Sequence, residues 1–448
     1  MSSAYKPRFA VAANDVHSVL SQHMLADGFA MVLDLDRSEG SYMVDARDGR
    51  KYLDFFTCFA SMPIGVNHPG LNNPEFIEYL GKASINKPSN SDLYTEVMAV
   101  FVKTFFELAV PEHFKYSFYI EGGGLAVENA LKTAFDWKVQ HNFKKGYKSE
   151  RGHMAMHFRQ SFHGRTGYTM SLTNTDPIKT QYFPQFNNWP RIHNPTLRFP
   201  LNDANLAQVQ QEERMALDAI KQAFFEHRDH IASIIVEPIQ GEGGDNHFRT
   251  EFLAAVKQLC LENDALLIFD EVQTGVGITG TMWAHEGIGV TPDLMSFGKK
   301  MQVCGILAGA RVDEVEKNVF HASSRINSTW GGNLTDMVRA TRYLEIIDDE
   351  NLVHNAATLG SSLLQRLQNM AQTHPELVSN PRGRGLFCAF DLPSKEKRGA
   401  FAKACMDQGL LMIASGERSM RFRPPLNLSN AELEEGMQVI ESVLQSMA

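Results

Sequence analysis

The chain has 448 residues, of which 43% are hydrophobic and 21% are charged. This length and composition predict a globular protein with a large buried core, divided into two or three domains. A formal net charge of -9 without a long basic run argues against nucleic acid and anionic membranes as partners, because those surfaces need clustered lysine and arginine, so we expect a small-molecule ligand.

The N-terminal twenty residues lack the apolar core of a secretion signal, and the longest apolar runs further on, such as ALLIF and SIIV, are too short to cross a bilayer. A cytoplasmic location is therefore the expectation. The cysteines are widely separated and form no C-x-x-C pair: Cys58, Cys260, Cys304, Cys388 and Cys405. They predict reduced thiols, with neither a disulfide framework nor a metal site.

Short apolar runs alternate with longer helical patterns along the chain, which predicts an α/β fold with a mainly parallel sheet. The candidate strands cover residues 116–120, 153–158, 231–237, 265–271 and 293–298. Ligands of open parallel sheets bind beyond the carboxyl ends of the strands. We therefore expect the polar residues that follow these strands to share one cleft.

The glycine turn in YIEGGGLAVENALK joins a candidate strand to a helix at residues 122–124. The buried stripe of that helix is predicted to contain Val127, Ala130, Leu131, Ala134 and Phe135. Glycine lets the backbone approach a ligand closely, and the free N–H groups at a helix start favour an anion such as phosphate. A tight turn without a ligand is the alternative interpretation.

A second glycine pattern, GVGITG, matches G-x-G-x-x-G at Gly275, Gly277 and Gly280 and would indicate a dinucleotide-dependent oxidoreductase. In that fingerprint the glycines follow a strand directly and open a helix. Here DEVQT intervenes after the strand. The oxidoreductase therefore remains a remote alternative, and the turn at residues 122–124 is the better phosphate candidate.

Two acidic residues, Asp270 and Glu271, end the apolar run ALLIFDE. Side chains alternate along a strand, so at most one of them should face a given ligand. A helix cap or a solvent-facing charge is the alternative for either residue. Further on, SFGKK contains Lys299 and Lys300 side by side, and an isolated lysine is usually a solvated charge.

The final hundred residues differ in pattern, with NPRGRGLFCAFDLP and SMRFRPPLNL predicting strands and turns, and residues 429–447 predicting an amphipathic helix. Ser429 and Glu432 have the spacing of a capping box at its start. The expected divisions are residues 1–70 as a segment that packs with the small domain, 71–335 as the large domain, and 336–448 as the C-terminal small domain.

Pyridoxal 5'-phosphate would account for these features together, since it needs a lysine, an acid for its ring nitrogen and a phosphate cradle. The chain resembles class III, fold-type I aminotransferases over nearly its whole length, from YLDFFTCFASMPIGVNHP through YIEGGGLAVENALK, SFHGRTGYT, EPIQGEGG and FDEVQTGVGITG to PDLMSFGKK and RFRPPL. The stretches NKPSNSDLY, SLTNTDP, GKKMQVCG and NSTWGGNLTDMVRA are similar to the lysine 6-aminotransferases of that family.

The resemblance implies a large cofactor-binding domain with a mainly parallel seven-stranded sheet flanked by helices. A smaller α/β domain would be formed from the N-terminal segment and the C-terminus. It also implies a homodimer with shared active sites.

The family pattern P-D-L-x-x-x-x-K puts the cofactor lysine seven residues after Pro292, which assigns it to Lys299 and leaves Lys300 as a solvated charge. Asp270 matches the acid that keeps the ring nitrogen protonated, and His163 is expected to be structural. The other implied cofactor contacts are Val272 and Phe162 on the two ring faces, Gln273 at the phenolic oxygen, the backbone of Gly123 and Gly124 at the phosphate, and Ser328 and Thr329 offered to the phosphate by the neighbouring subunit.

The same resemblance implies two substrates in one pocket. Arg421 matches the arginine that binds the carboxylate beside the keto group of 2-oxoglutarate. Glu242 would neutralise Arg421 when lysine is bound and swing aside for the oxo acid. Arg165 is assigned to the distal carboxylate, and Asn327 is a weaker candidate for a substrate contact. By composition alone, Glu242 and Arg421 would be ordinary solvated charges.

The predicted activity is L-lysine 6-transamination. The ε-amino group of L-lysine passes to 2-oxoglutarate in two half-reactions, which release 2-aminoadipate 6-semialdehyde, cyclising to piperideine-6-carboxylate, and L-glutamate. Another ω-aminotransferase, acting on ornithine, 4-aminobutyrate or a diamine, is the nearest alternative. A non-catalytic cofactor-binding regulator is disfavoured, because the chain has no basic patch or DNA-binding segment.

Overall fold

The computed structural model describes residues 5–447. Its strands are β1 (Tyr42–Val44), β2 (Lys51–Asp54), β3 (Phe114–Ile120), β4 (Met154–Phe158), β5 (Arg191–Ile192), β6 (Ile231–Val236), β7 (Ile239–Gln240), β8 (Asn246–His247), β9 (Leu266–Asp270), β10 (Leu294–Phe297), β11 (Cys304–Gly309), β12 (Ser379–Arg384), β13 (Phe387–Asp391), β14 (Leu410–Leu411), β15 (Ile413–Ser415) and β16 (Ser419–Phe422).

The helices alternate with these strands. They are α1 (Val16–Ser21), α2 (Thr57–Ala60), α3 (Pro74–Ser84), α4 (Glu96–Leu108), α5 (Gly123–Lys144), α6 (Gly167–Leu172), α7 (Asp203–Glu226), α8 (Thr250–Glu262), α9 (Ala284–Ile288), α10 (Leu334–Asp349), α11 (Leu352–Thr373), α12 (Lys395–Asp407) and α13 (Asn430–Met447). Short 3-10 turns occur at Ala13–Asp15, Pro177–Lys179, Lys299–Met301 and Ala310–Glu314. Among residues 5–447, no helix is long and apolar enough to cross a membrane.

The central sheet has seven strands in the order β3-β11-β10-β9-β6-β4-β5. Only β11 runs antiparallel to its neighbours, and the other strands are parallel to one another. The mainly parallel seven-stranded sheet that the sequence predicts is therefore confirmed. Because the parallel strands end at the same edge, the residues that follow them face a common cleft.

The five predicted strands are β3, β4, β6, β9 and β10, with ends that differ by one or two residues from those expected. Strand β11 and the two-residue strand β5 are not predicted from the sequence. In β11, CGILAG carries two glycines, which lowers its strand propensity. A Cβ on Gly305 would lie 2.2 Å from the carbonyl oxygen of Phe118 on the adjacent strand, so close strand packing explains the glycine there.

Helices cover both faces of the sheet with separate apolar layers. On one face, α5 packs against Ile268 and Leu294, and on the other α7 and α8 pack against Ile234 and Leu267. Leu267 and Ile268 are consecutive, so the alternation of a strand distributes them between the two layers. The predicted stripe of α5 is buried as expected: Val127, Ala130, Leu131, Ala134 and Phe135.

The N-terminal and C-terminal parts meet in a small sheet of order β1-β2-β14, in which β2 and β14 are parallel. The C-terminal part also forms a separate four-stranded antiparallel sheet of order β12-β13-β16-β15. The predicted capping box of α13 is present, because the Ser429 N–H donates to Glu432 Oε2 at 2.7 Å and the Glu432 N–H donates to Ser429 Oγ at 3.2 Å. The domain divisions themselves stay a prediction.

The GVGITG glycines lie in turns between β9 and α9 and do not open a helix. A Cβ on Gly275 would lie 2.3 Å from the Trp283 ring, and one on Gly280 would lie 3.1 Å from Ala357 of α11. The lack of a side chain at Gly275 and Gly280 therefore allows neighbouring elements to pack closely against them. These glycines therefore lack the strand before them and the helix after them that a dinucleotide fingerprint requires.

One helical glycine gives a direct test of this packing. Gly360 lies inside α11, and a Cβ added there would be 2.0 Å from the carbonyl carbon of Gly385. Gly399 is an exposed residue inside α12 and has no atom within 4 Å of its added Cβ. We expect Gly360→Ala to lower the free energy of unfolding by about 1–3 kcal/mol through overpacking. Gly399→Ala should raise it by up to about 1 kcal/mol through helix propensity.

Urea unfolding followed by circular dichroism measures both variants against the parent protein. Stabilisation by both substitutions would contradict the close approach of α11 to the turn at Gly385.

Candidate active site

A cavity of about 230 Å³ lies at the carboxyl edge of the central sheet. Its lining residues are Gly123, Gly124, Phe162, His163, Gly164, Glu237, Asp270, Val272, Gln273 and Lys299. All the cofactor-binding residues predicted from the sequence line this cavity, except Ser328 and Thr329. Across residues 5–447 no group of three His, Cys, Asp or Glu residues is suited to a metal ion.

Lys299 follows β10 through Gly298 and adopts a positive φ of 48° at the start of a 3-10 turn. A Cβ on Gly298 would lie 2.9 Å from Cys304 Sγ, so glycine lets the chain turn sharply before the lysine. Burial, together with the positive charges of Arg421 and Arg423, lowers the pKa of the Lys299 amine to about 8. A lysine with this pKa suits nucleophilic attack on an aldehyde.

Asp270 ends β9 with its side chain turned into the cavity. One carboxylate oxygen accepts hydrogen bonds from Ser296 Oγ at 3.1 Å and from the Val272 N–H at 3.2 Å. The other lies 2.7 Å from His163 Nδ1. These partners fix the orientation of the carboxylate, so His163 has the supporting role that the sequence predicts and also lines the cavity.

Glu271 points to the opposite side of the strand, as the alternation predicts. Its carboxylate accepts hydrogen bonds from the N–H groups of Ala284 at 2.7 Å and His285 at 2.9 Å, and from Thr274 Oγ1 at 2.9 Å. It therefore caps the start of α9, a helix too short for its apolar period to be recognised in the sequence. Of the two acids, only Asp270 is available to a ligand in the cavity.

The turn at residues 122–124 also lines the cavity, through Gly123 and Gly124. Gly122 has a φ of 103°, and Gly123 and Gly124 are the first residues of the 22-residue helix α5. The first N–H groups of a helix have no intrahelical acceptor and bind anions. A Cβ on Gly123 would lie 3.0 Å from Val272 Cγ1, and one on Gly124 would lie 3.3 Å from Thr166 Cγ2. The narrow turn and its free N–H groups fit a phosphate.

Gln273 joins the cavity to a pair of arginines. Its side-chain oxygen accepts hydrogen bonds from Arg423 Nη2 at 2.9 Å and Arg423 Nε at 3.1 Å, and it lies 3.4 Å from Arg421 Nη1. A Cβ on Gly241 would lie 2.2 Å from this oxygen, so the glycine makes room for it. Because the oxygen is engaged, the amide nitrogen is the group that can donate to a ligand.

Glu237 and Arg423 are site residues that the sequence analysis does not single out. Burial raises the pKa of the Glu237 carboxyl to about 7, and the carboxyl accepts the N–H groups of Phe162 at 2.8 Å and Gly241 at 3.0 Å. Glu237 could have been identified from its position at the end of the predicted strand 231–237. Arg423 lies two residues after Arg421, the spacing that puts both on one side of an extended chain.

Arg421 is 1% exposed and donates from Nη2 to Glu242 Oε2 at 2.9 Å. The other carboxylate oxygen of Glu242 lies 2.5 Å from Lys179 Nζ. Burial opposes ionisation of Glu242, but the charges of Arg421 and Lys179 outweigh burial and hold the pKa of its carboxyl below the usual value. The two residues that the sequence pairs are therefore in contact, whereas Lys179 is a partner that the sequence analysis misses.

The remaining predicted residues lie away from this cavity. Arg165 is exposed and lines a neighbouring cavity of about 470 Å³ with Phe183 and Phe186. The segment 327–329 lies at the surface, where the carbonyl groups of Ser328 and Thr329 accept hydrogen bonds from Ser91 Oγ at 2.8 and 3.3 Å. Their roles stay predictions.

Lys300 is not the solvated charge that the sequence predicts. It is 2% exposed, and its Nζ donates to the carbonyl groups of Gln273 at 2.7 Å and Ala60 at 3.3 Å. Ala60 ends α2, whose residues all have positive φ, so this turn is left-handed. Burial and the neighbouring charge of Lys299 hold the pKa of Lys300 well below its usual value. The lysine pair therefore consists of one cavity residue and one structural residue.

Comparison with known proteins agrees with this geometry. The family described as Aminotransferase class-III matches residues 25–444. The L-lysine-epsilon aminotransferase of Mycobacterium tuberculosis is 51% identical over 433 residues, 96% of this chain and 95% of the relative. Human mitochondrial 4-aminobutyrate aminotransferase is 32% identical over 412 residues, 87% of this chain and 80% of the relative.

A solved structure of lysine aminotransferase from M. tuberculosis superposes with a TM-score of 0.96 at 49% identity, covering 98% of this chain and 100% of that chain. Pyridoxal 5'-phosphate is the cofactor of this family. The free N–H groups after Gly122, the carboxylate of Asp270 and the amine of Lys299 fit its phosphate, ring nitrogen and aldehyde. The fold, the site and the comparisons together identify this chain as a class III aminotransferase.

Proposed function

We propose that the protein is an L-lysine 6-transaminase that uses 2-oxoglutarate as the amino acceptor. Its products would be 2-aminoadipate 6-semialdehyde, which cyclises to piperideine-6-carboxylate, and L-glutamate. The observation that carries the proposal is the ion pair between Arg421 and Glu242 beside the cavity that contains Lys299. The relatives at about 50% identity, which are named for lysine, support the same donor.

The charges of this pair fit two unlike substrates. L-lysine would present an aliphatic chain next to its reacting ε-amine, and a buried guanidinium facing that chain is costly unless it is paired. Glu242 supplies the pairing charge. The keto group of 2-oxoglutarate has a carboxylate beside it, and a guanidinium binds a carboxylate through two parallel hydrogen bonds. Arg421 can do so once Glu242 has moved away.

When bound, pyridoxal 5'-phosphate supplies an electron sink that makes a carbon-bound proton of the substrate acidic. The amine of Lys299 would act first as the base that accepts this proton and then as the acid that releases it. Asp270 would hold a proton on the ring nitrogen, and His163 and Ser296 keep its carboxylate in place. Phe162 and Val272, which both line the cavity, would restrict the ring between them.

Another ω-aminotransferase is the alternative, because ornithine, 4-aminobutyrate and diamines also lack a carboxylate next to the reacting amine. One methylene in an apolar pocket changes selectivity only modestly. The identity to the 4-aminobutyrate relative is lower, at 32%, over a smaller part of the chain. Lysine is therefore the preferred donor.

Steady-state assays of the cofactor-loaded protein test the donor. With 2-oxoglutarate as acceptor and glutamate formation as the readout, we expect kcat/KM for L-lysine to exceed that for 4-aminobutyrate by at least about tenfold, and Lys299→Ala to be inactive. Ornithine and 1,5-diaminopentane complete the series. Negligible turnover of lysine beside good turnover of another amine would refute the proposal.

The pKa of Lys299 predicts how pH controls covalent cofactor attachment. Only the neutral amine can attack the aldehyde, and a lowered pKa means that the proton is lost at lower pH. Attachment to the cofactor-free protein, measured by visible absorbance and by mass after borohydride reduction, should therefore accelerate as pH rises, with a midpoint at about 8. Arg421→Gln removes a repelling charge and should move the midpoint upward. An attachment midpoint at about pH 10, the usual lysine pKa, would contradict this account.

We also propose a homodimer in which Ser328 and Thr329 serve the partner's phosphate. Hydrogen bonds from Ser91 Oγ join the segment 89–94 to these two residues. The combined surface exposes Leu93, Tyr94 and Trp330, large apolar groups whose burial would favour association. Asn327 is exposed on the same surface and remains a candidate for substrate contact there.

Light scattering tests the dimer. Tyr94→Asp should produce monomers that retain the cofactor less well, because it introduces a charge into the proposed interface. Phe225→Asp is the matched control, since Phe225 is 80% exposed and Tyr94 is 81% exposed, but Phe225 lies at the end of α7. A monomeric parent protein, or equal effects of the two substitutions, would argue against shared sites.

A cytoplasmic location stays a prediction. The five cysteines are unpaired, which is consistent with a reducing compartment.

A further inference from the structure

Glu242 contacts two cations at once. One carboxylate oxygen is 2.9 Å from Arg421 Nη2, and the other is 2.5 Å from Lys179 Nζ. The Arg421 side chain is 1% exposed, the Lys179 side chain is 15% exposed and that of Glu242 is 28% exposed. A single carboxylate is therefore shared between a buried cation and one nearer the surface.

We propose that Lys179 is a positioning residue that determines acceptor specificity by holding Glu242 after Glu242 leaves Arg421. This inference rests on the proposed function, in which Arg421 must become free for the carboxylate beside the keto group of 2-oxoglutarate. Lys179 gives the departing carboxylate a partner that it already contacts. The movement then requires one ion pair to be exchanged and leaves no carboxylate unpaired.

The charge balance favours this role. While an amine with an aliphatic chain is bound, two cations share the single carboxylate of Glu242. When the oxo acid binds, its carboxylate pairs with Arg421 and Glu242 pairs with Lys179, so each cation has its own anion. Without Lys179, the same exchange would leave a partly buried carboxylate without a cation, which is unfavourable.

The surroundings restrict how Glu242 can move. The Gly416 N–H donates to the backbone oxygen of Glu242 at 3.0 Å, which favours rotation of the side chain over movement of the backbone. Arg398 is the other cation whose charge acts on Glu242, but its Nη1 already donates to the carbonyl groups of Ser415 and Gly416. Lys179 is the cation that already contacts the moving carboxylate.

Lys179 is itself held in place. It ends the 3-10 turn Pro177–Lys179, in which the Asp176 side chain accepts the Ile178 N–H at 3.1 Å. Its Nζ lies 3.3 Å from Thr175 Oγ1 and 5.2 Å from the centre of the Phe162 ring, within the range of a cation–π interaction. The ammonium group is thus anchored between the cavity wall and Glu242.

Separate half-reactions of the cofactor-loaded protein test the inference. Lys179→Met should raise the apparent dissociation constant for 2-oxoglutarate about tenfold, and this effect should exceed that on the amine half-reaction at least about fivefold, because only the oxo acid needs Glu242 to move. Lys179→Arg should restore acceptor binding. Lys403→Met is the matched control, because Lys403 pairs with Asp407 at the same 2.5 Å distance but both side chains are exposed.

Calorimetry with glutarate provides a second readout that does not depend on turnover, since glutarate has the two carboxylates without a keto group. Its dissociation constant should also rise about tenfold in Lys179→Met and change less than twofold in Lys403→Met. An unchanged glutarate affinity would overturn the inference. So would equal losses in both half-reactions, or a selective loss of the amine half-reaction, which would make Lys179 a direct ligand of the amine substrate.

A Glu242→Gln background separates this inference from the proposed function. If Lys179 acts through Glu242, Lys179→Met should have less than about a twofold further effect in that background. Glu242→Gln alone should impair the amine half-reaction more than the oxo acid half-reaction. Equal effects on both would refute the proposed pairing of Glu242 with Arg421. Unequal effects in Glu242→Gln without any in Lys179→Met would refute only the role of Lys179.

Discussion

The buried charge of Arg421 is the constraint on which the arrangement of the site depends. Together with Arg423 it places two guanidinium groups beside Lys299, and each has a different carboxylate partner. Arg423 is bound by Asp245 at 2.7 Å, and both side chains are almost completely buried, so this pair is fixed. The Arg421 partner, Glu242, is 28% exposed, and it is the carboxylate that we propose moves when the oxo acid binds. Arg423 therefore holds Gln273 in place at the cavity, whereas Arg421 has the partner that is less buried.

The central sheet brings the cofactor-facing groups to the same cleft. Asp270 ends one parallel strand, Glu237 follows a second and Lys299 follows a third. The glycine turn after β3 adds the N–H groups of a helix start to the cavity lining. Strands rather than long loops therefore position these groups. This keeps the distances between Asp270, Lys299 and the glycine turn constant. Glu242, which would have to move, lies in the turn between β7 and β8, and Lys179 lies at the end of a 3-10 turn.

The sequence predicts the groups that carry local signals much better than the contacts between segments that are distant in the chain. Asp270, Lys299 and the glycine turn are found because strand ends and motif spacing are local signals. The burial of Lys300 has no local signal, because its acceptors lie 27 and 240 residues away in the chain. The contact of Lys179 with Glu242 spans 63 residues and depends on how two loops fold over the sheet. In the fold, β11 is missed for a related reason, since its glycines are explained only by the neighbouring strand.

A crystal structure of the cofactor-loaded protein with bound glutarate tests the central claim most directly, because it reports where the Glu242 carboxylate goes when a substrate carboxylate enters. We expect a glutarate carboxylate in parallel hydrogen bonds with the Arg421 guanidinium, and the Glu242 carboxylate rotated away from Arg421 but still within hydrogen-bonding distance of Lys179 Nζ. Glutarate bound elsewhere, with Glu242 still paired to Arg421, would contradict the account.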